Sequence, residues 1–203
     1  MKKFIFPSCL FFFIILTSQN CKKHNEPILY NTEFPNNIGT FWKYKVYDSI
    51  STINDTLTIT IVGTTNLNDG KVVTIWQNKY QTRIPNTDTS YIYSGSEGIY
   101  FYFNKTIQSL YKIYKFPLTI GNYWLGNYVK DTIKVTSKSS INTLAGSFSE
   151  TYTLTRTARF FPNGSLFEQE LFKPNIGLLT SLQINNSGSY SNENWELFSY
   201  LIK

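Results

Sequence analysis

The chain has 203 residues with one histidine and two cysteines, a stock too thin for a Ser-His-Asp arrangement, Cys-His chemistry or a zinc site. Nineteen Lys and Arg against thirteen Asp and Glu give a net charge of +6, but the longest basic run is Lys22-Lys23, so the excess is not a nucleic-acid footprint. Hydrophobic residues make up 41% and aromatic ones 17%, so a chain of this length can bury a sizeable core without covalent staples.

Residues 1–20 read as a secretory signal. Lys2 and Lys3 make a positive start, and Phe4 to Leu16 is an apolar run shorter than the roughly 20 residues a spanning helix needs. Cys21 follows in Leu16-Thr17-Ser18-Gln19-Asn20-Cys21. It resembles the acceptor of bacterial lipoproteins, whose thiol takes a diacylglycerol and whose cleavage leaves the cysteine first. Asn20 and Ser18 depart from the small and aliphatic residues usual there. Cys9 would leave with the signal, so the mature chain holds Cys21 alone and no disulfide can form. Residues 21–31 read as a lipidated tether that opens with Lys22, Lys23, the only histidine His24, Asn25 and Glu26. Two or more acyl chains anchor stably, where one binds only marginally. Lys22 and Lys23 would then lie against anionic headgroups. Lys22 is not the aspartate associated with inner-membrane retention, which points to the outer membrane.

Residues 32–203 read as one all-β domain. Helical periodicity is almost absent, and Tyr, Phe, Thr, Ile and Val dominate. Thr56-Leu57-Thr58-Ile59-Thr60-Ile61 alternates strictly, and Lys130–Thr136 and Thr151–Thr155 repeat the style. A period of two means a sheet with one face buried and one wet. Asn68-Asp69-Gly70, Gly95 to Gly98, Asn163-Gly164 and Asn185 to Gly188 part successive runs as tight turns would. The spacing predicts a meander of about ten antiparallel strands, a sheet so wide that it must curve strongly or form an incomplete barrel.

One phrase occurs twice. Phe34-Pro35-Asn36-Asn37-Ile38-Gly39-Thr40-Phe41-Trp42 matches Phe116-Pro117-Leu118-Thr119-Ile120-Gly121-Asn122-Tyr123-Trp124. Two copies are too few for a solenoid and read as one corner used twice: proline stops a strand, glycine permits the bend, tryptophan caps the core. The tryptophans either line a shared cleft or plug the core, and the usual burial of large aromatics favours plugs.

The first of these phrases, with Lys43-Tyr44, resembles the opening of a broad group of uncharacterised bacterial envelope lipoproteins. Leu144-Ala145-Gly146-Ser147-Phe148, Lys173-Pro174-Asn175-Ile176-Gly177-Leu178-Leu179 and Glu196-Leu197-Phe198-Ser199-Tyr200 are similar to later pieces of that group, in order. Asn175 stands at a glycine of the group and Leu144 where proline is common. Asn tolerates left-handed backbone, so the turn at Asn175 should survive. The resemblance implies a sheet curved like those of periplasmic lipoprotein carriers, and it transfers no catalytic residue.

Chemistry is therefore expected to be absent: no catalytic residue, no metal, no cofactor. Glu168 and Glu170 lie two apart on one expected strand, a spacing that ordinarily marks the wet face, with Gln169 and Leu171 pointing the other way. The positive binding signal is aromatic. Trp76, Tyr91, Tyr93, Tyr100 and Tyr102 are the candidate ligand-binding residues, because tyrosine-rich sheet faces stack on ligands or receive partners. In Ile99-Tyr100-Phe101-Tyr102-Phe103 the Ile99, Phe101 and Phe103 face is the expected core face. The chain thus reads as a monomeric, non-enzymatic lipoprotein binding an apolar or amphipathic ligand, a lipid or an envelope protein, on its concave face. The alternative is a structural or interaction protein with a filled core. A continuous aromatic-lined pocket favours the first, a core filled by the same side chains the second, and carboxylates clustered in a cleft would reopen the question of an enzyme.

Overall fold

The computed structural model describes residues 33–49, 51–83, 87–105, 111–126, 131–160, 164–185 and 192–203. The expected signal and tether, with Cys21 and His24, the first part of the Asn163-Gly164 turn and most of the Asn185–Gly188 turn lie outside the described residues.

The chain folds as twelve strands: β1 (Phe41–Asp48), β2 (Ile53–Asn66), β3 (Val72–Tyr80), β4 (Thr87–Gly95), β5 (Gly98–Tyr102), β6 (Tyr111–Tyr114), β7 (Tyr123–Leu125), β8 (Thr132–Thr143), β9 (Gly146–Phe160), β10 (Gly164–Lys173), β11 (Gly177–Asn185) and β12 (Glu193–Leu201). All twelve join one antiparallel sheet in the order β6-β5-β4-β3-β2-β1-β12-β11-β10-β9-β8-β7, and the described residues form no helix. The termini therefore meet in the middle of the sheet, where β1 pairs with β12. The free edges β6 and β7 are neighbours in sequence. They come together without a ladder of backbone bonds: the Trp124 indole N–H donates to the Lys112 carbonyl (3.3 Å), which nearly closes a barrel. The strands beyond the expected ten include β6, of four residues, and β7, of three, each too short to show an alternation.

Alternation decides what faces the lumen. In β1 the buried positions are Trp42, Tyr44, Val46 and Asp48. Trp42, Tyr44 and Val46 pair with Ile59, Leu57 and Asp55 of β2, so the inner faces of both strands coincide; Ile53, opposite Asp48 at the end of the pair, is exposed. Turn chemistry holds where it can be followed: Asp69-Gly70 closes β2–β3 with Gly70 at φ +85°, and Asn175 takes φ +67° in the β10–β11 turn.

The repeated phrase builds the same corner twice. At the first, Gly39 N–H donates to Ile61 O (2.8 Å), Ile61 N–H to Thr40 O (2.9 Å) and Thr40 N–H to Asn37 O (3.1 Å). At the second, Gly121 N–H donates to Val135 O (2.9 Å), Val135 N–H to Asn122 O (2.9 Å) and Asn122 N–H to Thr119 O (3.0 Å). Gly39 (φ +88°) and Gly121 (φ +91°) occupy the left-handed region that the bend requires. A register shift follows each corner, after Ile61 in β2 and after Val135 in β8. Both corners lie at one end of the barrel, where β1 and β7 begin, and Phe34 and Phe116 turn inward from them into a common core.

Candidate functional site

The lumen is the place to look, because the concave face was the expected binding surface. Its half nearest the corners is filled. Trp42 stacks on Trp76 (4.9 Å between ring centroids), Trp76 on Phe34 (5.6 Å) and Phe34 on Phe172 (6.1 Å). Phe172 in turn meets Tyr114 (4.6 Å) and Phe116 (5.9 Å). This aromatic series runs from β1 to β6 across the barrel. Trp76 joins the two main apolar clusters, one around Phe34, Phe116, Trp124 and Phe172, the other around Trp42, Tyr44, Leu57 and Leu197. The Trp42 indole donates to Ile176 O (2.6 Å) and the Tyr44 hydroxyl to Leu178 O (2.9 Å). Asn36 of the first corner accepts from the Thr74 hydroxyl (2.7 Å) and the Trp76 indole (3.2 Å). Both tryptophans of the repeated phrase are plugs.

Towards the other end the interior turns ionic. Glu168 is only 4% exposed, so the expectation of a wet face for Glu168 and Glu170 is corrected: both point inward. The reason lies on neighbouring strands. Arg156 of β9 stands opposite Glu168 and donates to it (2.9 Å), and Ser181 (3.2 Å) and Gln183 (2.8 Å) of β11 donate to its other oxygen. Asp131 lies 3.3 Å from the Arg156 Nε. A buried carboxylate is tolerable when paired and hydrogen-bonded in this way. Glu170, one inward position further along, has the Tyr114 hydroxyl as its hydrogen-bond partner. Burial, and next the Glu168 charge, push its carboxyl up to about 7 against the pull of Arg156 and Tyr114.

A second nest stands at the same end of the barrel. Asp55 accepts backbone N–H groups from Thr56 (2.6 Å), Gln81 (3.1 Å), Thr82 (3.0 Å) and Arg83 (3.2 Å). Burial acts to raise the Asp55 carboxyl, yet these bonds together hold it below the ordinary aspartate value. Arg83 bonds Glu193, which also accepts the Trp195 indole (2.7 Å), and the Arg83 guanidinium lies over the Tyr80 ring (4.7 Å). In both nests an arginine sits between two carboxylates, an arrangement that fastens strands together. Among the described residues, no group of three or more His, Cys, Asp or Glu is placed to hold a metal ion.

The five candidate ligand-binding residues divide between two faces. Trp76 belongs to the luminal stack. Tyr91, Tyr93, Tyr100 and Tyr102 share the outer face of β4 and β5, where Tyr91 pairs with Tyr102 and Tyr93 with Tyr100. Together with Leu67 and Val73 they make a small core of their own outside the barrel, with Tyr102 buried and the other three half-buried. Lys105 lies over Tyr91 (5.8 Å) and Lys112 over Tyr100 (5.1 Å). Of the expected core face of β5, Ile99 is buried and Phe101 packs on the core, but Phe103 is exposed: it lies beyond the last residue of the strand, so the alternation no longer governs it. A shallow groove of about 320 Å³ on the outside over β1, β2 and β12 is lined by chiefly polar side chains, Lys45, Asn54, Thr56 and Asn194 among them.

Sequence reasoning did not find Arg156, Asp131, Arg83 and Asp55. The turn signal alone does not find it: the β9–β10 hairpin closes with Phe160 opposite Gly164, which sets Arg156 against Glu168, whereas a two-residue turn at Asn163-Gly164 sets residue 159 there. Nothing announces Arg83 and Glu193, which no hairpin relates.

The fold thus defines a nearly closed, twelve-stranded antiparallel barrel with an aromatic plug. No protein-family profile matches the sequence, and no curated protein matches it. Two solved structures share the fold. One is a provisionally named exported protein with YmcC-like fold from Bacteroides fragilis NCTC 9343, at TM-score 0.54 and 15% identity, covering 84% of this chain and 99% of that one. The other is a provisionally named lipoprotein from Parabacteroides distasonis ATCC 8503, at TM-score 0.54 and 14% identity, covering 85% of this chain and 99% of that one. At these identities the likeness is one of fold.

Proposed function

We propose that the chain is a non-catalytic lipoprotein of the bacterial outer membrane, anchored through Cys21, that acts as a structural or interaction protein through its outer surface. The observation that carries this reading is the aromatic series from Trp42 through Trp76, Phe34 and Phe172 to Tyr114, which fills the half of the lumen nearest the corners, the apolar half a ligand would need. The ionic residues further in support it as well, since Asp131, Glu168 and Glu193 are each paired with an arginine and Glu170 is packed against Tyr114. The exported and lipoprotein names of the two structures that share the fold agree with an envelope address.

The test compares the full chain with its Cys21→Ser variant in a double-membraned bacterial host. The wild type should sediment with the outer membrane and Cys21→Ser should be released. Native mass spectrometry of the detergent-extracted wild type should show the acyl mass on Cys21 and no other lipid. A stoichiometric apolar ligand retained through extraction would overturn the filled-lumen reading. Unchanged fractionation of Cys21→Ser would overturn the anchor.

A further inference from the structure

We propose that the barrel stands on the membrane with its corner end down, the two turn tips Ile38 and Ile120 entering the lipid interface. This rests on the reading of Cys21 as a lipid anchor. The residue before the bend glycine is isoleucine in both corners, and each is 57% exposed. Turn tips ordinarily take Gly, Asn, Asp or Ser, whose side chains serve the backbone or the solvent. Here the same backbone device presents a bare aliphatic side chain to the outside twice, while its phenylalanine is buried both times. Exposed apolar side chains lie on the strands that meet each corner: Val62 and Leu201 at the first, Tyr123 and, further along β7, Leu125 at the second. Ile38 is joined to this set through Gly39, bonded to Ile61, and through the pairing of Phe41 with Leu201. The Lys203 side chain lies against Gly39, where an ammonium could reach headgroups while its stem stays on apolar surface.

The occupant follows from where the chain enters. The tether joins the domain at Glu33, whose carbonyl is held by the Asn175 N–H (2.8 Å), immediately before the first corner. A dozen residues from Cys21 span at most about 40 Å when fully extended. The eight residues of β1 alone carry the chain about 27 Å away from the corners, towards the opposite end. Bringing that far end to the bilayer would stretch most of the tether, whereas the corner end reaches it with the tether slack. The far end offers less to lipid: its described turns present Ser51 and Thr52 after β1, and Thr82 and Arg83 after β3, and its exposed apolar side chains, Tyr47, Ile53, Leu182 and Ile184, are each less exposed than Ile38 and Ile120. Interfacial binding grows with the apolar area inserted, and a lipid surface is the apolar partner that an acyl anchor holds against this rim.

The experiment uses the processed, acylated protein reconstituted into phosphatidylcholine–phosphatidylglycerol vesicles. Ile38→Cys, Ile120→Cys and, at the far end, Ser51→Cys each carry a small fluorophore, and nitroxide-labelled lipid is the quencher. All three positions are exposed, and circular dichroism confirms that each variant folds. The labels at 38 and 120 should be quenched at least twofold more than the label at 51. Vesicle flotation with equal quenching at the three sites would overturn the orientation and leave the anchor standing. Labels at 38 and 120 shielded from aqueous iodide yet untouched by nitroxide lipid would mean that protein covers the corners, and would overturn it too. Failure to float would remove the anchor and, with it, the orientation.

Discussion

Replacing Glu170 by glutamine should make the protein more stable at pH 8, by a margin that shrinks as the pH falls to 5. Glu170 stands among Glu168 on its own strand, Arg156 on β9 and Tyr114 on β6, with Tyr44 of β1 close enough to feel its charge. Burial raises its carboxyl from 4.5 to about 7, with Glu168 adding to the effect. The folded protein therefore holds this proton more tightly than the unfolded chain does. Its contribution to stability is complete below about 4.5 and is lost as the pH rises through about 7. A displacement of that size corresponds to about 3 kcal/mol at alkaline pH. The side chain keeps some exposure by surface area, and the water that reaches it lowers the expected effect to about 2 kcal/mol. Glutamine keeps the shape and still accepts the Tyr114 hydroxyl, so it removes the charge and little else. Urea unfolding of wild type and Glu170→Gln at pH 5, 6, 7 and 8 reads the difference directly. The only histidine, His24, is common to both proteins. Two stability curves that stay parallel from pH 5 to 8 would refute the idea that Glu170 is ionised at a cost inside the barrel.

Phe172→Ala should cost about 3–5 kcal/mol in urea unfolding, since it empties a fully buried site that touches Phe34, Tyr114 and Phe116. A loss under 1 kcal/mol would mean that the plug is loosely packed. Asp55→Ala should cost about 3 kcal/mol at neutral pH, because it strips the acceptor from the N–H groups of Thr56, Gln81, Thr82 and Arg83. The folded-state value of Asp55 is depressed, so its stabilisation is present above the free aspartate value of 3.8 and fades as the pH falls through the folded one. The wild-type advantage over the variant should therefore shrink in acid, and an advantage independent of pH down to 2 would contradict the assignment. Asn175→Gly should be neutral within about 0.5 kcal/mol, and Asn175→Val should cost about 1–2 kcal/mol, because the backbone there is left-handed. Equal melting temperatures for the two variants would count against that geometry.

The sequence carried the sheet because one face of each long strand is apolar, and that period survives without knowledge of partners. Leu57, Ile59 and Ile61 show it, and all three face the lumen. It failed where the deciding contact comes from a strand the pattern does not mention. Glu168, Glu170 and Phe172 share the inner face of β10, but an alternation rule sees two charges and assigns them to water. Only the pairing with Arg156 and the donors on β11 reverse the assignment. The tyrosines of β4 and β5 show the opposite case. Their face is the outer one, as the buried Ile99 requires, yet Tyr102 is buried there because it packs with Leu67 and Val73 in a second, external core. No periodicity reports a turn lying back over a sheet.

The repeated corner explains why the barrel stops short of closure. Each copy opens a run of six strands, β1 to β6 and β7 to β12. The opening strand of the first run pairs with the closing strand of the second, β1 with β12, over the whole of β1. The counterpart of that seam is β7 against β6, and the two strands there have only three and four residues. A ladder that short gains few backbone bonds, so the junction is made by side chains: Trp124 reaches the Lys112 carbonyl, and Tyr114 and Phe116 both pack on Phe172 from the opposite wall. The tryptophans of the two corners thus do different work in equivalent places. Trp42 plugs a seam already closed by backbone pairing, and Trp124 supplies a bond across a seam that is not.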